Sequence, residues 1–358
     1  MMPDMSEAAN TVPSGTTPST PAVRVAPIGV GSALPDGVVT SAEIEERLGL
    51  DPDWLVKRTH ILERRILGPG EKLTDLALTA SQRALEDAGI PATDVDFVIA
   101  ACLQSDDIAP SMAAVVADGL GTDHAGGFDL SSGCSGFVAS VATAAGLIES
   151  GRARTVVVVA AEAMSRLTDK TDRATAGLLG DGAGAIVLRG ASTPADDRHP
   201  GRTGRSLFGS DGANGGTVRV ATDHPSVYDA GEFGPGKAGQ VQMNGFDTYK
   251  TAVNRFESTV RDTATINDTT LEDVDLIVLH QANGRILDAV RKRLDLPEER
   301  FATSVHSHGN TSAASIALAL ADARAQGRVV PGTRLLLAGF GSGLAWAGIT
   351  LTWEGTPA

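Results

Sequence analysis

The sequence predicts an α/β protein built from two copies of one unit, and three observations carry that prediction. Short apolar, β-branched runs recur along the chain. Ala-rich apolar stretches follow Gly-containing turns. Landmarks of the first half return in the same order about 176–179 positions later. VDFVIAA (95–101) is echoed by VDLIVLH (274–280), and each has the pattern of a strand buried on both faces. Gly133-Cys134 precedes FVASVATAAGLIESGRA, and Gly309-Asn310 precedes TSAASIALALADARAQGRV. Both stretches are apolar nearly all round, as buried helices are. Each then runs into a further strand, TVVVVAAE (155–162) or RLLLAGF (334–340). A single echo is weak evidence, but four in one order and spacing point to duplication. The expected architecture is two pseudo-symmetric halves, each a mostly parallel sheet with buried helices.

The halves are expected at 23–195 and 205–358. Residues 1–22 are rich in Ser, Thr, Pro and Ala and read as a disordered tail, and a polar stretch over about 191–205 reads as a linker. The tail lacks a basic start and an apolar core, so it does not read as a signal peptide. No run of about 18 apolar residues marks a spanning helix, so no membrane is expected. Two cysteines in 358 residues fit a reducing cytoplasm and exclude a disulfide scaffold. Thirty basic against 44 acidic residues give a net charge of −14, which argues against nucleic-acid binding.

Duplication places Cys134 and Asn310 at equivalent helix starts, with His280 at the end of the second half's first strand. Sites in parallel sheets form at the carboxyl ends of strands, so the three are expected to converge. A thiol at a helix N-terminus is expected to have a lowered pKa, and the same N–H groups suit an oxyanion. Cys134 also fits a buried structural cysteine, His280 a satisfied core histidine and Asn310 a helix N-cap. His306 and His308, two apart, could share a strand face, but nothing nearby completes a metal site and none is expected. GDGAGA (180–185) superficially suggests a nucleotide loop, yet it leads into IVL, a strand, so a tight turn is the expected structure.

Six segments, DPDWLVKRTHILERRI, SSGCSGF, TDRATAGLLGDGAGA, LHQANGRI, HGNTSAAS and GFGSGLAW, stand in one order between residues 51 and 346. With them the chain from about Val23 onward resembles the ketoacyl-acyl-carrier-protein synthase III enzymes of the thiolase superfamily. The resemblance implies a duplicated thiolase-like fold in a five-layer αβαβα arrangement, and a homodimer. It implies an acyltransferase without a permanently bound cofactor. An acyl-CoA starter is loaded on Cys134, then joined to malonyl-carrier protein by decarboxylative Claisen condensation, in fatty-acid or polyketide initiation. Acyl transfer from Cys134 to an alcohol or amine without decarboxylation is the alternative. A non-catalytic partner of another synthase is a third reading, against which the retained Cys134 speaks.

The resemblance also implies roles. His280 and Asn310 stabilise the enolate formed as CO2 leaves. The backbone N–H groups of Cys134 and Ser342 form the oxyanion hole, Ser342 standing where the family usually has Gly. Trp54, Arg58 and Arg173 match CoA-binding positions. Lys250, Arg285, Arg291, Lys292 and Arg293 match a basic face for docking the carrier protein, needed because both proteins are acidic. Ala109 stands where acetyl-using members often carry an aromatic residue in the acyl pocket, which implies room for a longer or branched starter. Phe246 replaces the usual Asn near the same pocket.

Overall fold

The computed structural model describes residues 24–191, 203–231 and 237–355. The expected tail at 1–22 and most of the expected linker lie outside the described residues. The first sheet has five strands in the order Arg24–Ala33, Asp181–Ala191, Thr155–Ala163, Phe97–Ala101, Gly126–Leu130. The second has four, in the order Leu276–Leu279, Arg334–Gly341, Ala345–Thr352, Leu207–Ser210. In both, one parallel pair is followed by two antiparallel pairs: Phe97–Ala101 with Thr155–Ala163, and Leu276–Leu279 with Arg334–Gly341, are the parallel ones. The first sheet adds a second parallel pair at Gly126–Leu130. Its counterpart in the second sheet is a single parallel bridge between Ile277 and Phe301.

The sheets are therefore mixed, not mostly parallel as the sequence suggested. In the second sheet the physical reason is the short return after Arg334–Gly341. Three residues, Ser342 to Leu344, lead into Ala345–Thr352, too few for a parallel crossover.

Strand side chains alternate between two apolar clusters. Ile99, Val156, Val158, Leu335 and Leu337 face one shared with both Ala-rich helices, Gly136–Glu149 and Ala314–Ala325. Val98, Val157 and Val159 face a second cluster, under helices Leu73–Ala88 and Met112–Leu120. Ile277, Leu279 and Leu336 face a third, under Gly245–Ile266 and Gly284–Leu294. Strands covered on both faces have no solvated side, which is why their sequences are continuous apolar runs.

The GDGAGA segment is not a turn: Asp181 to Ala185 are the first residues of a strand. Its glycines serve packing. A Cβ at Gly184 would lie 2.6 Å from the Ala317 Cβ, so only hydrogen lets the helix Ala314–Ala325 settle on this strand. Thr203 N–H donates to the Val25 carbonyl and Gly204 N–H to the Thr350 carbonyl, tying the chain just after 192–202 to both sheets. Among the described residues no helix is long and apolar enough to cross a membrane.

Candidate active site

Strand Gly126–Leu130 delivers the chain to a 3-10 turn, Gly133–Ser135, which opens the helix Gly136–Glu149. Gly133 has φ +50°, a conformation that costs glycine little, and it turns the chain so that Cys134 projects from the helix start. Opposite lies strand Arg334–Gly341. A Cβ at Gly341 would sit 2.6 Å from the Cys134 Cβ and 2.8 Å from Sγ, so this glycine makes the space the sulfur occupies.

His280 follows the end of its strand and is buried. Its Nδ1 lies 2.7 Å from Ser315 Oγ, and that oxygen also accepts from the Gln281 N–H at 3.1 Å. The Ser315 hydroxyl keeps its own proton to donate, and donation to Nδ1 places the ring hydrogen on Nε2. Burial drives the imidazole pKa down to about 3, against a hydrogen bond with the Ser312 backbone, so the ring is neutral at physiological pH.

Asn310 is locked through its main chain: its N–H donates to Leu178 O at 2.9 Å, and its carbonyl accepts from Gly180 N at 3.0 Å. Its Oδ1 accepts from Ser312 N–H at 2.9 Å, an Asx turn just ahead of the helix Ala314–Ala325. That contact orients the amide so that its NH2 is left as a donor. The N-cap reading of Asn310 is thus half right, since the amide acts before the helix and not on its first turn.

Cys134, His280 and Asn310 line one cavity of about 510 Å³, which extends past Phe340 and Met243 to Trp54, Arg58, Arg173 and Arg285. A second cavity of about 460 Å³ shares Cys134, Asn310 and Ser342 with the first and is walled by Leu103, Met164, Leu178, Leu179, Val220 and Val241. The sulfur stands where the two meet.

The thiol differs from expectation. Burial pushes Cys134 up to about 11, with the nearby Glu162 adding to the rise. The Ser312 hydroxyl, whose Oγ is 3.6 Å from Sγ, and the N–H groups of Ser342 and Cys134 oppose the shift without cancelling it. The helix start supplies the anticipated N–H groups at the sulfur, but removal from bulk water outweighs them. Cys134 is a thiol at rest and ionises only with help.

The other sites fall into place unevenly. Arg58 stacks over the Trp54 ring at 4.0 Å and Arg173 approaches it at 5.2 Å, at the outer end of the first cavity. Arg285 adjoins the same mouth, with Tyr249 at 5.9 Å, and Lys250 is exposed beside it. Arg291, Lys292 and Arg293 occupy the last turn of Gly284–Leu294, roughly 9–12 Å along the helix from Arg285 at 1.5 Å per residue. Arg291 pairs with Glu298 at 3.4 Å and Arg293 with Glu257 at 3.3 Å, so part of that basic run is neutralised within the chain. Ala109 lies on an exposed loop and lines neither cavity of its own chain. Phe246 is the second residue of helix Gly245–Ile266, and its side chain lies outside the described residues. His306 and His308 sit on one helical turn, not a strand, and diverge: His306 Nδ1 meets the His60 carbonyl at 2.6 Å, while His308 Nε2 meets Asp322 at 3.0 Å.

Three further residues at the site were not singled out from sequence: Ser312, Ser315 and Glu162. The two serines belong to HGNTSAAS, where they look like helix-start residues. Glu162 had a visible signal, being the one acid closing an otherwise apolar strand, TVVVVAAE.

A cysteine at a helix start, facing a neutral imidazole and a carboxamide in an α/β fold of two mixed sheets, is the layout of an acyltransferase that works on thioesters. Comparison with known proteins makes the class specific. The family model for 3-oxoacyl-[acyl-carrier-protein] synthase III matches residues 128–218, and that for its C-terminal part matches 265–353. A β-ketoacyl-[acyl-carrier-protein] synthase III from Rhodobacter capsulatus is 40% identical over 334 residues, 92% of this chain and 99% of the relative. One from Rhizobium meliloti is 39% identical over 325 residues, 91% of this chain and 98% of the relative. The solved synthase III from Thermus thermophilus superposes with a TM-score of 0.85 at 37% identity, covering 92% of this chain and all of that one. A priming β-ketosynthase from a polyketide biosynthetic pathway gives 0.85 at 34%, covering 97% and 100%. The chain belongs to the β-ketoacyl-[acyl-carrier-protein] synthase III family.

Proposed function

We propose that the protein loads a starter acyl group from an acyl-CoA onto Cys134 and condenses it with malonyl-carrier protein. CO2 leaves and a 3-oxoacyl-carrier protein is released. The observation that carries this reading is the position of Cys134 at the junction of two cavities, with His280 and Asn310 lining the first. The cavity reaching Trp54, Arg58 and Arg173 suits a phosphopantetheine arm and its nucleotide. The apolar cavity beyond the sulfur suits the acyl chain.

In the acylation step, the N–H groups of Cys134 and Ser342 hold the developing oxyanion. In the condensation step, the Nε2–H of His280 and the amide of Asn310 donate to the thioester carbonyl of malonyl-carrier protein. Negative charge moves onto that oxygen as CO2 departs, and fixed donors in a dry site stabilise it without rearranging. A neutral imidazole serves as donor here, as its depressed pKa requires. No permanently bound cofactor enters the scheme.

The acyl cavity is far larger than an acetyl group needs, and the loop carrying Ala109, which in the family reaches into the partner subunit's acyl pocket, brings a small side chain where an aromatic one would fill space. Both support a longer or branched starter. A homodimer is supported by the edge strand Gly126–Leu130, which is mostly exposed and carries Phe128, 38% accessible. Ile108 and Val115 are exposed on adjoining segments. Matching pairing order in the two sheets supports halves at 23–195 and 205–358, and the three alternating clusters support the five-layer thiolase-like stack. Carrier docking is placed first at Lys250 and Arg285, with Lys292 further along. These three form no ion pair among the described residues. Two unpaired thiols support a cytoplasmic location.

Incubation with acyl-CoAs of increasing length, followed by intact-mass measurement and then by malonyl-carrier protein, tests the reading. Expected are one acyl group per chain, best for branched or longer starters, and CO2 release on discharge. A strict preference for acetyl would refute the starter assignment, and discharge without CO2 would refute condensation.

A further inference from the structure

Cys134 holds its proton in a site where the facing imidazole is too weak a base to take it. Glu162 is the remaining ionisable group at hand, and the reaction scheme above leaves it unused. It is the penultimate residue of strand Thr155–Ala163, with 1% of its surface accessible. Its Oε2 accepts from Leu103 N–H at 3.1 Å and its Oε1 from Ala313 N–H at 3.4 Å. The Ser312 hydroxyl donates to the Cys134 sulfur, with Oγ 3.6 Å from Sγ, and the same hydroxyl, when turned the other way, favours the ionised form of this carboxyl. Ser312 is itself buried and held at φ +49°, a left-handed conformation that a serine adopts at a cost. That backbone sets its hydroxyl beside the sulfur, while the N–H of the next residue, Ala313, holds the carboxyl.

We propose that Glu162 is the proton acceptor for Cys134, acting through the Ser312 hydroxyl, and that it stores the thiol proton for the lifetime of the acyl-enzyme. The step rests on Cys134 being the acylated group. On acylation the S–H bond breaks and its proton passes to Ser312 Oγ, while the Ser312 proton passes to the Glu162 carboxylate. The sulfur forms its bond to the acyl carbon, the bond from that carbon to the CoA sulfur breaks, and the departing CoA thiolate takes a proton from solvent. On condensation malonyl-carrier protein loses CO2, and its carbanion forms the carbon–carbon bond. The Cys134 sulfur leaves and recovers its proton from Glu162 through Ser312. One solvent proton is consumed per turnover, and Glu162 ends as it began.

The electrostatics agree. The Glu162 carboxylate is one of the groups that raise the Cys134 pKa, so protonating it removes a like charge just as the thiolate forms. Glu162 faces the thiols of Cys134 and Cys102, the carboxylate of Asp181, the Ser312 hydroxyl and the two backbone N–H groups. Burial lifts it to about 7, so the store fills and empties near physiological pH.

The test uses the whole protein and two readouts. The rate of Cys134 alkylation by iodoacetamide, which needs no acyl-CoA, is followed from pH 5 to 10 by peptide mass. The parent protein is expected to show an inflection near neutrality, where the coupled thiol–carboxyl pair loses its first proton. Glu162→Gln is expected to lose that inflection and rise with a single slope. Acyl loading at pH 7 is expected to fall about 10²-fold in Glu162→Gln and in Ser312→Gly, which keeps the left-handed backbone without the hydroxyl. A parent profile without the neutral inflection, or one that Glu162→Gln retains, overturns the proposal. So does loading within twofold of the parent in Ser312→Gly, a variant that decides the matter even where Glu162→Gln fails to fold. Absence of any acyl adduct in the parent would refute the condensing function instead, a result the alkylation profile keeps separate.

Discussion

Gly341 gives a prediction whose size can be read from the structure. Replacing its hydrogen with methyl sets a new Cβ 2.6 Å from the Cys134 Cβ, 2.8 Å from Sγ and 3.0 Å from its backbone nitrogen. Carbon atoms in ordinary contact stand about 3.5–4.0 Å apart, so the two segments must separate by roughly 1 Å. Neither side yields easily. Gly341 ends a strand paired along its whole length with Ala345–Thr352, and Cys134 is anchored by the turn into a fully packed helix. Overpacking of this kind costs about 1–3 kcal/mol. A displacement of about 1 Å at a reacting centre costs on the order of 10²-fold in rate. Gly341→Ala is therefore expected to fold with a lowered melting temperature and to acylate Cys134 about 10²-fold more slowly. Quenched-flow acylation read by intact mass, beside thermal melts followed by circular dichroism, measures both. Acylation within threefold of the parent would refute the claim that this glycine fixes the position of the sulfur.

Other expectations follow from the same geometry. Cys134→Ala is expected to abolish the covalent adduct while leaving the melt unchanged, and His280→Ala or Asn310→Ala to spare acylation but slow decarboxylation about 10²–10³-fold, read as CO2 release. In Cys134→Ala, CO2 release from malonyl-carrier protein is expected to stay level from pH 8 to pH 5. Burial lowers the His280 pKa to about 3, so the ring gains no proton in that range; a fall centred near pH 6.5 would contradict this. The same shift makes folding favour the neutral ring: its contribution is complete above about pH 6.5 and is lost as pH falls toward 3, so urea midpoints are expected to decline across that window. Arg285→Glu is expected to raise the KM for malonyl-carrier protein about tenfold at low salt, and Arg293→Ala much less, because Arg293 is already paired with Glu257. Phe128→Asp is expected to shift the protein toward monomer in sedimentation velocity.

Much of this was legible in the sequence, for identifiable reasons. The strands showed because strands buried on both faces must be apolar throughout, and TVVVVAAE and RLLLAGF carry that mark at matching distances from their helices. The meeting of Cys134, His280 and Asn310 followed from strand ends and helix starts falling on one side of a sheet. What escaped depended on three-dimensional balance. The lowered thiol pKa was inferred from the helix start alone, whereas the sequence holds no measure of how much water the fold removes. GDGAGA read as a turn because glycine marks turns more often than it marks a strand pressed by a helix such as Ala314–Ala325. The basic run Arg291-Lys292-Arg293 reads as one patch, but Glu257 and Glu298, distant in the chain, pair with part of it. Ser315 and Ser312 act through contacts to His280 and Cys134 that no local pattern encodes.

The most direct measurement is a site-mapped count of acyl groups and CO2 in one sample. The protein is charged with an acyl-CoA, digested to locate the adduct, and a second portion is discharged with malonyl-carrier protein. One acyl group per chain on Cys134, none on Cys102, and one CO2 for each acyl group discharged is the expected result. An adduct confined to Cys102, no adduct, or discharge without CO2 would contradict it.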